Sequence, residues 1–519
     1  MSNFFVSQPQ NFVSIYIAPT IDLTTTLQVG EKGVVASIGK IPYGNPNKAV
    51  IINTPKFKKE TTKIALGGSQ DNEALYHYED FFSNVNGKLV VGRVLGVNST
   101  TTILEVEKEA GEYIVKADTN RNIFGADGIK TWGDVAIDTA MIEILITSCI
   151  ADKHSIKVTK EDNEVSVKLY DRNGNSIYSV SGGFSHDSIN DYGQPNFIGN
   201  LANPDIIEIK TNPTHADKDD NFSAVKVFND GLVVEVEDDP KNYDNAINAI
   251  TPKLEQCDYY FTAGLVDVPV LKKIKAVCFE AKVMMAIDVV GDTLAQAITY
   301  KSSLNMNDEY VYFVWNEGKD VFSSGALSIG LSGFFIGATV RKNLSILKGQ
   351  GVENRLKEGV AGVDYPLART KKDELTVYSK DDMNLMVKER INTLRHFDGT
   401  LCIGDILSGN PKKQATALFP VTEGKFFIDR YIANIIKQKF FKNLNEAKRF
   451  VNTEVRRLFA TCLELGYFDT TQGTSFTYKV SKKEFDTIVV EYAYIPEGIT
   501  RKGWVQGTLV KDAIDLKIG

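Results

Sequence analysis

Apolar and polar positions repeat with different periods along the chain, and the change of period divides it into units. Between residues 236 and 365, three stretches have helical spacing: NYDNAINAITPKLEQ, VPVLKKIKAVCFEAK and DTLAQAITYKSSL. They alternate with the apolar runs CDYYFTAGL, VMMAIDVV and EYVYFVWN, which are typical of buried strands. Residues 29–96 follow the same scheme, with the helix EALYHYEDFFSNV before the strand GKLVVGRVLG. These two segments together predict one α/β domain with a mainly parallel sheet covered by helices.

The segment between them, residues 97–235, has the period of two that is typical of strands. Its alternating stretches include ILEVEKEAGEYIVKA, HSIKVTKEDNEVSVKLYDRNGNSIYSVSGG and GLVVEVED. Asn173–Gly174 indicates a hairpin with a type I′ turn, which needs positive φ at both central residues. The pattern predicts a mostly-β domain inserted into the α/β domain.

Both ends of the chain are predicted to be extended. Residues 1–28 contain the alternating Val13, Ile15 and Ile17, and the last segment contains Trp504, Val505 and Leu509. Neither strand has an obvious local partner, and backbone groups cannot be buried unpaired at low cost. We expect both strands to pair elsewhere. Residues 366–519 form the last unit, with helices followed by the strands SFTYKV and FDTIVVEYAYIP.

The segment from Phe426 to Tyr467 predicts two consecutive helices. Apolar residues recur there at helical spacing, Asn445 offers an N-cap for the second helix, and Gly466 a stop. Eight basic residues but only two acidic ones lie between Arg430 and Arg457, although the whole chain has a net charge of -7. Two interpretations stay open: a solvated helix face, or a surface for a negatively charged partner. The candidates for the second are Lys437, Lys439, Lys442, Lys448, Arg449, Arg456 and Arg457.

The composition is that of a globular protein without an evident membrane segment. With 519 residues, 43% hydrophobic and 24% charged, we expect two to four domains. The five cysteines form no CxxC pair, so neither disulfides nor a zinc site are expected, and the N-terminus does not have the pattern of a signal peptide. The longest apolar run, residues 325–340, predicts a buried helix in which Gly330, Gly333 and Gly337 permit close packing. The acidic balance argues against nucleic-acid binding.

No pattern of catalytic, cofactor-binding or metal-binding residues emerges. Neither GxxxxGK[ST] nor GxGxxG is present, and the run DKDD at 217–220 lacks the glycine and closing glutamate of a calcium loop. Asp288 follows a predicted strand, where α/β enzymes place functional carboxylates. No Ser/His/Asp order suggests itself among the five histidines. We therefore expect no enzyme, no cofactor and no metal.

Several segments, in this order, resemble the sheath proteins of contractile phage tails and related injection machines. VSIYIAPTIDLTT is similar to the family's opening strand, and EDFFSNVNGKLVVGRVLG to its helix–strand unit. In ERINTLRHFDGTLCIGDILSG, residues Asn392, Arg395, Phe397 and Gly399 match, whereas Ile403-Gly404-Asp405 stands where a tryptophan motif is usual. DRYIANIIKQKFF, TEVRRLFATCLELGYF and YAYIPEGI complete the likeness, which covers about a third of the positions and implies a distant member.

The resemblance implies an α/β multi-domain fold, α+β overall, with a definite arrangement. Residues 1–28 would be an arm exchanged with a neighbour, residues 29–96 plus 236–365 a middle α/β domain, and residues 97–235 an outer mostly-β domain. Residues 366–519 would be an inner domain that faces the tail tube and ends in an exchanged strand. The strands to be exchanged would be those of Val13, Ile15 and Ile17 and of Trp504, Val505 and Leu509.

The implied partners are other copies of the chain, in a helical homopolymer of stacked hexameric rings, together with the tail tube, the baseplate and the tail terminator. Nucleic acid and membrane insertion are not implied. The implied location is the virion tail, assembled in the host cytoplasm, and the implied action is contraction that drives the tube through the host envelope for genome delivery. The alternatives are a non-viral contractile injection system or tailocin, another tail or baseplate protein, and, distantly, an α/β enzyme using Asp288.

Overall fold

The structure of the chain is a computed structural model. The described residues are 5–6, 15–16, 33–41, 44–45, 48–57, 73–94, 101–121, 137, 140–147, 153–229, 242–322, 325–345, 358–412, 414–464, 466–471 and 473–498. Val13, Ile17, Trp504, Val505 and Leu509 lie outside them.

The strands and helices of the described part are as follows. The strands are β1 (Phe5–Val6), β2 (Ile15–Tyr16), β3 (Val34–Gly39), β4 (Val50–Asn53), β5 (Lys88–Arg93), β6 (Thr101–Glu109), β7 (Glu112–Arg121), β8 (Ile142–Ile146), β9 (Ser155–Glu161), β10 (Glu164–Tyr170), β11 (Ser176–Gly183), β12 (Ile207–Thr211), β13 (Phe222–Val227), β14 (Tyr259–Phe261), β15 (Met284–Val289), β16 (Val311–Trp315), β17 (Asp320–Phe322), β18 (Gly325–Leu327), β19 (Ile391–Phe397), β20 (Thr400–Ile403), β21 (Phe476–Lys482) and β22 (Ile488–Tyr494). The helices are α1 (Thr54–Phe57), α2 (Glu73–Asn84), α3 (Ile198–Leu201), α4 (Asn242–Leu254), α5 (Val268–Glu280), α6 (Leu294–Leu304), α7 (Ser332–Ser345), α8 (Lys380–Glu389), α9 (Phe419–Lys437) and α10 (Leu444–Glu464).

An eight-stranded sheet forms the centre of the molecule, in the order β20-β19-β16-β15-β14-β3-β5-β4. Its six inner strands are parallel, and β4 and β20 join antiparallel at the edges. Helices α2 and α7 cover one face, while α4, α5 and α6 cover the other. The predicted α/β arrangement is confirmed. The sheet also includes β19 and β20, within residues 391–403. A domain boundary at residue 366 would separate these two strands from the rest of the sheet. The domain boundaries remain a prediction.

The segment between β5 and α4 forms two antiparallel four-stranded sheets, β12-β8-β6-β7 and β11-β10-β9-β13. Their inner faces enclose a separate hydrophobic cluster that includes Val106, Ile144 and Val158. The predicted mostly-β insertion is confirmed. The side chain of Arg93 joins it to the central sheet by donating hydrogen bonds to the carbonyls of Ile41, Gly44 and Thr147.

The predicted hairpin at residues 164–183 is present, but its turn is not of type I′. Among its turn residues only Gly174 has a positive φ, of 81°. The carboxylate of Asp171 instead accepts hydrogen bonds from the backbone N–H groups of Asn173 and Asn175, both at 2.8 Å. The backbone N–H of Gly174 also donates to the carbonyl of Asp171, at 3.0 Å, so the aspartate side chain reinforces a backbone turn that ends in a glycine with positive φ.

The apolar run at residues 325–340 is divided between strand β18 and helix α7, so the buried helix begins later than predicted, at Ser332. Its glycines do permit close packing. A Cβ at Gly333 would lie 2.3 Å from the carbonyl oxygen of His77, and one at Gly337 would lie 3.0 Å from that of Phe81. Both contacts are to helix α2, which can approach α7 this closely only because the side chains are absent.

Candidate functional site

The predicted pair of helices forms a small core of its own beside the central sheet. Apolar residues of α9, among them Ile428 and Ile432, pack against Val451, Val455 and Phe459 of α10. Helix α9 begins at Phe419, seven residues before the predicted segment, and its first turns are buried against the central core. The spacing of three and four residues in α10 confirms the apolar stripe that the sequence predicts.

The cap of helix α10 differs from the prediction. The side chain of Asn443, not Asn445, accepts hydrogen bonds from the backbone N–H groups of Asn445 and Glu446, at 2.9 and 3.3 Å. Asn445 accepts a bond from Lys482 of strand β21 instead. The predicted stop is confirmed, because the helix ends at Glu464 and Gly466 has a φ of 69°.

The hairpin of β21 and β22 covers the same core and is fixed by aromatic rings. The ring of Phe459 stacks on those of Phe476 and Tyr478, with centroid distances of 5.2 and 5.7 Å. The hydroxyl of Tyr492 donates a hydrogen bond to Asp429 of α9, whose burial raises the pKa of its carboxyl group. Within the described residues, β21 and β22 pair only with each other. Among these residues, neither outer edge of the two-stranded sheet is paired, and an unpaired edge can accept a further strand.

Polar and ionic contacts attach α9 to the central unit. Glu423 accepts hydrogen bonds from Lys342 at 2.7 Å, from Asn343 at 2.6 Å and from Tyr259. Lys342 and Glu423 have side chains only 1% and 3% exposed, so this ion pair is fully removed from water. Farther along α9, Lys425 pairs with Glu309, Arg430 with Asp258 and Lys437 with Glu255.

The seven basic candidates differ in what they contact. Three have partners within the chain. Lys437 lies 3.3 Å from Glu255, and Lys439 lies 3.2 Å from Glu446 and over the ring of Phe450. Arg457 lies 3.6 Å from Glu454, yet its side chain is 75% exposed.

The other four have no acidic side chain within 4 Å in the described part of the chain. They are Lys442, Lys448, Arg449 and Arg456, of which Lys448 is half-buried and the others are exposed. Together with Arg457 they form what we call the basic face. The prediction that this surface binds a partner is not tested by these contacts.

Of the residues predicted for strand exchange, only Ile15 lies in the described part. It belongs to the short parallel pair in which Phe5 lies opposite Ile15 and Val6 opposite Tyr16. Val13, Ile17, Trp504, Val505 and Leu509 are outside the described residues.

Asp288, the candidate of the enzyme alternative, lies in a buried polar cluster. Its carboxylate accepts hydrogen bonds from the hydroxyls of Thr262 at 2.7 Å and Ser332 at 2.5 Å. Nε2 of His77 lies 3.7 Å from the same carboxylate. The backbone N–H of Gly333 donates to Nδ1 of His77, so Nε2 carries the proton of the neutral ring. Burial lowers the pKa of His77 to about 4.

Serine, histidine and aspartate thus meet here, which sequence reasoning missed because His77 and Ser332 lie 255 residues apart. The order of contacts is not that of a catalytic triad. Ser332 donates its proton directly to Asp288, whereas in a triad the histidine accepts the proton of the serine. The cluster joins helix α2, strand β15 and helix α7. Its contacts support a role in packing these elements together.

The remaining chemical candidates can be assigned as well. Asp217 and Asp220 of the DKDD run lie 3.4 and 2.6 Å from Lys108, which offsets part of their charge. Among the described residues, no group of three or more His, Cys, Asp or Glu side chains is placed to hold a metal ion. In the same part of the chain, no helix has both the length and the apolar character needed to cross a membrane.

Comparison with solved structures identifies the fold. The sheath tail protein from Listeria innocua is similar over 90% of this chain and 93% of its own, with a TM-score of 0.55 and 12% sequence identity. The sheath tail protein from Desulfitobacterium hafniense matches over 92% of this chain and 100% of its own, with a TM-score of 0.49 and 11% identity. The sheath of the PVC extracellular contractile injection system, in its contracted state, matches over 98% and 99%, with a TM-score of 0.49 and 10% identity.

Neither a family model nor a curated protein matches the sequence. The chain shares its fold with the Listeria innocua sheath tail protein, and the resemblance found in the sequence is confirmed at the level of the fold. At 12% identity the likeness does not by itself transfer a function.

Proposed function

We propose that the chain is the subunit of a contractile tail sheath, which polymerises into a helix around a tail tube and drives the tube through a target envelope on contraction. The observation that carries this proposal is the fold shared with a sheath tail protein over nine-tenths of both chains. The role is mechanical, and the similar structures named above are sheath proteins, not enzymes. Two surfaces of the last unit support it.

The first surface is the hairpin of β21 and β22, which we propose as the acceptor of strands from neighbouring copies. Its outer edges, which are unpaired within the described part of the chain, can bond extended segments, and the chain offers two, around Ile15 and around Val505. Strand addition supplies main-chain hydrogen bonds for affinity and side-chain alternation for register. Copies linked head to tail by rotation and translation build a helix, here one of stacked hexameric rings.

Substitutions in the N-terminal segment test strand exchange. Replacing Val13, Ile15 and Ile17 together by lysine places charge on the side that would be buried, so we expect a folded chain that no longer polymerises. Ser14→Lys is the matched control, because it adds charge on the opposite side of the strand and should leave polymerisation intact. Sedimentation and circular dichroism measure assembly and folding. Polymerisation by the triple variant at the level of the control would refute strand exchange.

The second surface is the basic face, which we propose contacts an acidic tail tube. Exposed ion pairs are individually weak and screened by salt, which suits a contact that must be released when the sheath moves. Lys437 and Lys439 are the weakest of the seven candidates, since both already have acidic partners within the chain.

Charge reversal tests the tube contact. Arg449→Glu combined with Arg456→Glu should weaken co-sedimentation with purified tubes at low ionic strength, and the difference should diminish at high ionic strength. The control is Lys272→Glu, which makes the same kind of charge change at an exposed position on helix α5. Equal binding by the double variant and the control, at every ionic strength, would contradict the assignment.

We further propose that the assembly is a virion tail, formed in the host cytoplasm, with a baseplate and a tail terminator at its two ends and genome ejection as its outcome. A non-viral injection system would use the same two surfaces. Nucleic-acid content of native particles that contain the chain distinguishes the two. Packaged DNA supports the viral assignment, and particles without nucleic acid support the non-viral one.

A further inference from the structure

The outward face of the sheet β11-β10-β9-β13 carries its charges in separate rows. The apolar residues of β9 and β10, such as Val158 and Val167, point inward to the core of the insertion. Side chains alternate along a strand, so the intervening residues point outward. They are Lys157, Thr159 and Glu161 on β9, and Glu164, Ser166 and Lys168 on β10.

The strand register places like residues opposite each other. Lys157 pairs with Lys168, Thr159 with Ser166 and Glu161 with Glu164. Ser181 and Ser223 extend the middle row on the flanking strands. The face therefore has a basic row, a hydroxyl row and an acidic row. Like charges directly opposite each other in a sheet are destabilising.

Nothing within the described part of the chain compensates these charges. None of Lys157, Lys168, Glu161 and Glu164 has an oppositely charged side chain within 4 Å. The register of the other sheet gives the row Lys210, Glu143, Glu105, Lys116, in which Glu143 also lies opposite Glu105, but each of these glutamates has a lysine opposite it on its other side. Local arrangements that are unfavourable and lack compensation are characteristic of functional surfaces.

We propose that this face, the three-row face, binds the same face of a second copy of the chain. A two-fold rotation about an axis along the hydroxyl row places the basic row of one copy over the acidic row of the other. The sequence of the two strands has the required symmetry, since Thr159 lies midway between Lys157 and Glu161, and Ser166 midway between Glu164 and Lys168. At the centre, the hydroxyl of Ser166 is buried and the side chains of Thr159, Ser181 and Ser223 are short, so the two faces can approach closely. The longer lysines and glutamates reach across at both sides.

The size of the face determines how strong this contact is. Four strands and five residues cover about 15 Å by 14 Å, or about 200 Å². Stable interfaces bury ~800 Å² on each partner, so one pair of faces associates weakly. Many copies held in one assembly would present many such faces, and their combined binding would join two assemblies side by side. The pairing itself does not depend on the proposed function.

Charge-swap variants of the full-length chain test the proposal. In one variant Lys157 and Lys168 become glutamate, and in the other Glu161 and Glu164 become lysine. Each variant alone presents two rows of one sign, so its self-association should be at least about tenfold weaker than that of the wild type at low ionic strength. An equimolar mixture of the two should associate again, because each acidic face then meets a basic one.

The chain carrying all four substitutions is the matched control, since its rows are exchanged but remain self-complementary. It should associate as the wild type does, and circular dichroism should show that all variants are folded. Sedimentation velocity measures the association of free subunits. If cylinders form, electron microscopy measures their side-by-side pairing instead, so failure of the proposed sheath function does not prevent this test.

Recovery of association in the mixture would support the pairing. Absence of wild-type self-association at low ionic strength, or a mixture that stays dissociated, would overturn it. A third outcome would assign the face to a different partner. In that case the wild type does not self-associate but binds an anionic polymer such as heparin, and only the variant with Lys157 and Lys168 replaced loses this binding.

Discussion

The buried ion pair between helices α7 and α9 provides the sharpest prediction about how the helical pair is held. Glu423 and Lys342 lie 2.7 Å apart and are almost fully excluded from water. Glu423→Leu would leave the lysine buried without its counter-charge. Breaking a buried pair by removing one partner costs about 3–5 kcal/mol, because the remaining charge is uncompensated.

A second variant separates charge from packing. Lys342→Met combined with Glu423→Leu removes both charges and keeps apolar volume, while Asn343 still donates to Tyr259 at 2.7 Å. Replacement of a whole buried pair by apolar residues is often close to neutral. We therefore expect the double variant to recover at least about 2 kcal/mol of the loss caused by Glu423→Leu.

Hydrogen–deuterium exchange of peptides from residues 419–437 is the appropriate assay. The described residues form three separate hydrophobic clusters, and such a chain need not unfold in two states. A loss of about 4 kcal/mol corresponds to roughly a thousandfold faster exchange. The control is Glu446→Gln, which removes the partner of the exposed pair with Lys439 and should cost less than about 1 kcal/mol. Equal exchange in Glu423→Leu and Glu446→Gln, or a double variant less stable than the single one, would refute the reasoning.

Two further predictions concern the packing of α2 and α7. Because the pKa of His77 is lowered to about 4 from 6.5, the unfolded chain binds the proton more strongly, and stability present above pH 6.5 is lost as the pH falls towards 4. His77→Asn keeps an acceptor near the position of Nδ1 and should remove this loss of stability, about 3 kcal/mol between pH 6.5 and pH 4, as measured by thermal unfolding. If the stability of the variant depends on pH as steeply as that of the wild type, the assignment is wrong. Gly333→Ala would place its Cβ 2.3 Å from a backbone oxygen of α2 and should cost about 1–3 kcal/mol, whereas Gly498→Ala, at an open position, should cost little. Equal melting temperatures of these two variants would show that the close approach is not required.

Local patterns predicted much of the fold. The alternation of apolar runs and helical stretches located β14 to β16 and the helices between them, and the period of two located the β insertion. The exact cap of α10 was not predictable, since Asn443 and Asn445 are equally suited to the position and only the hydrogen bonds distinguish them. The attachment of residues 391–403 to the central sheet was missed too, because strand pairing depends on contacts remote in sequence.

The candidate site was predicted less completely, for the same reason. The positive charge of the helical pair was evident from composition, but the partner of Lys437 is Glu255, 182 residues away. The cluster at Asp288 was located only through its position after a strand, and its other members come from distant segments. Sequence therefore identified the basic residues, and the structure separated those engaged within the chain from those of the basic face.

Negative-stain electron microscopy of the purified full-length chain tests the central claim most directly. A sheath subunit that polymerises by strand exchange should form striated hollow cylinders or stacked rings as its concentration is raised. A monodisperse monomer or small oligomer that persists at high concentration, in a chain shown to be folded, would contradict the proposed function.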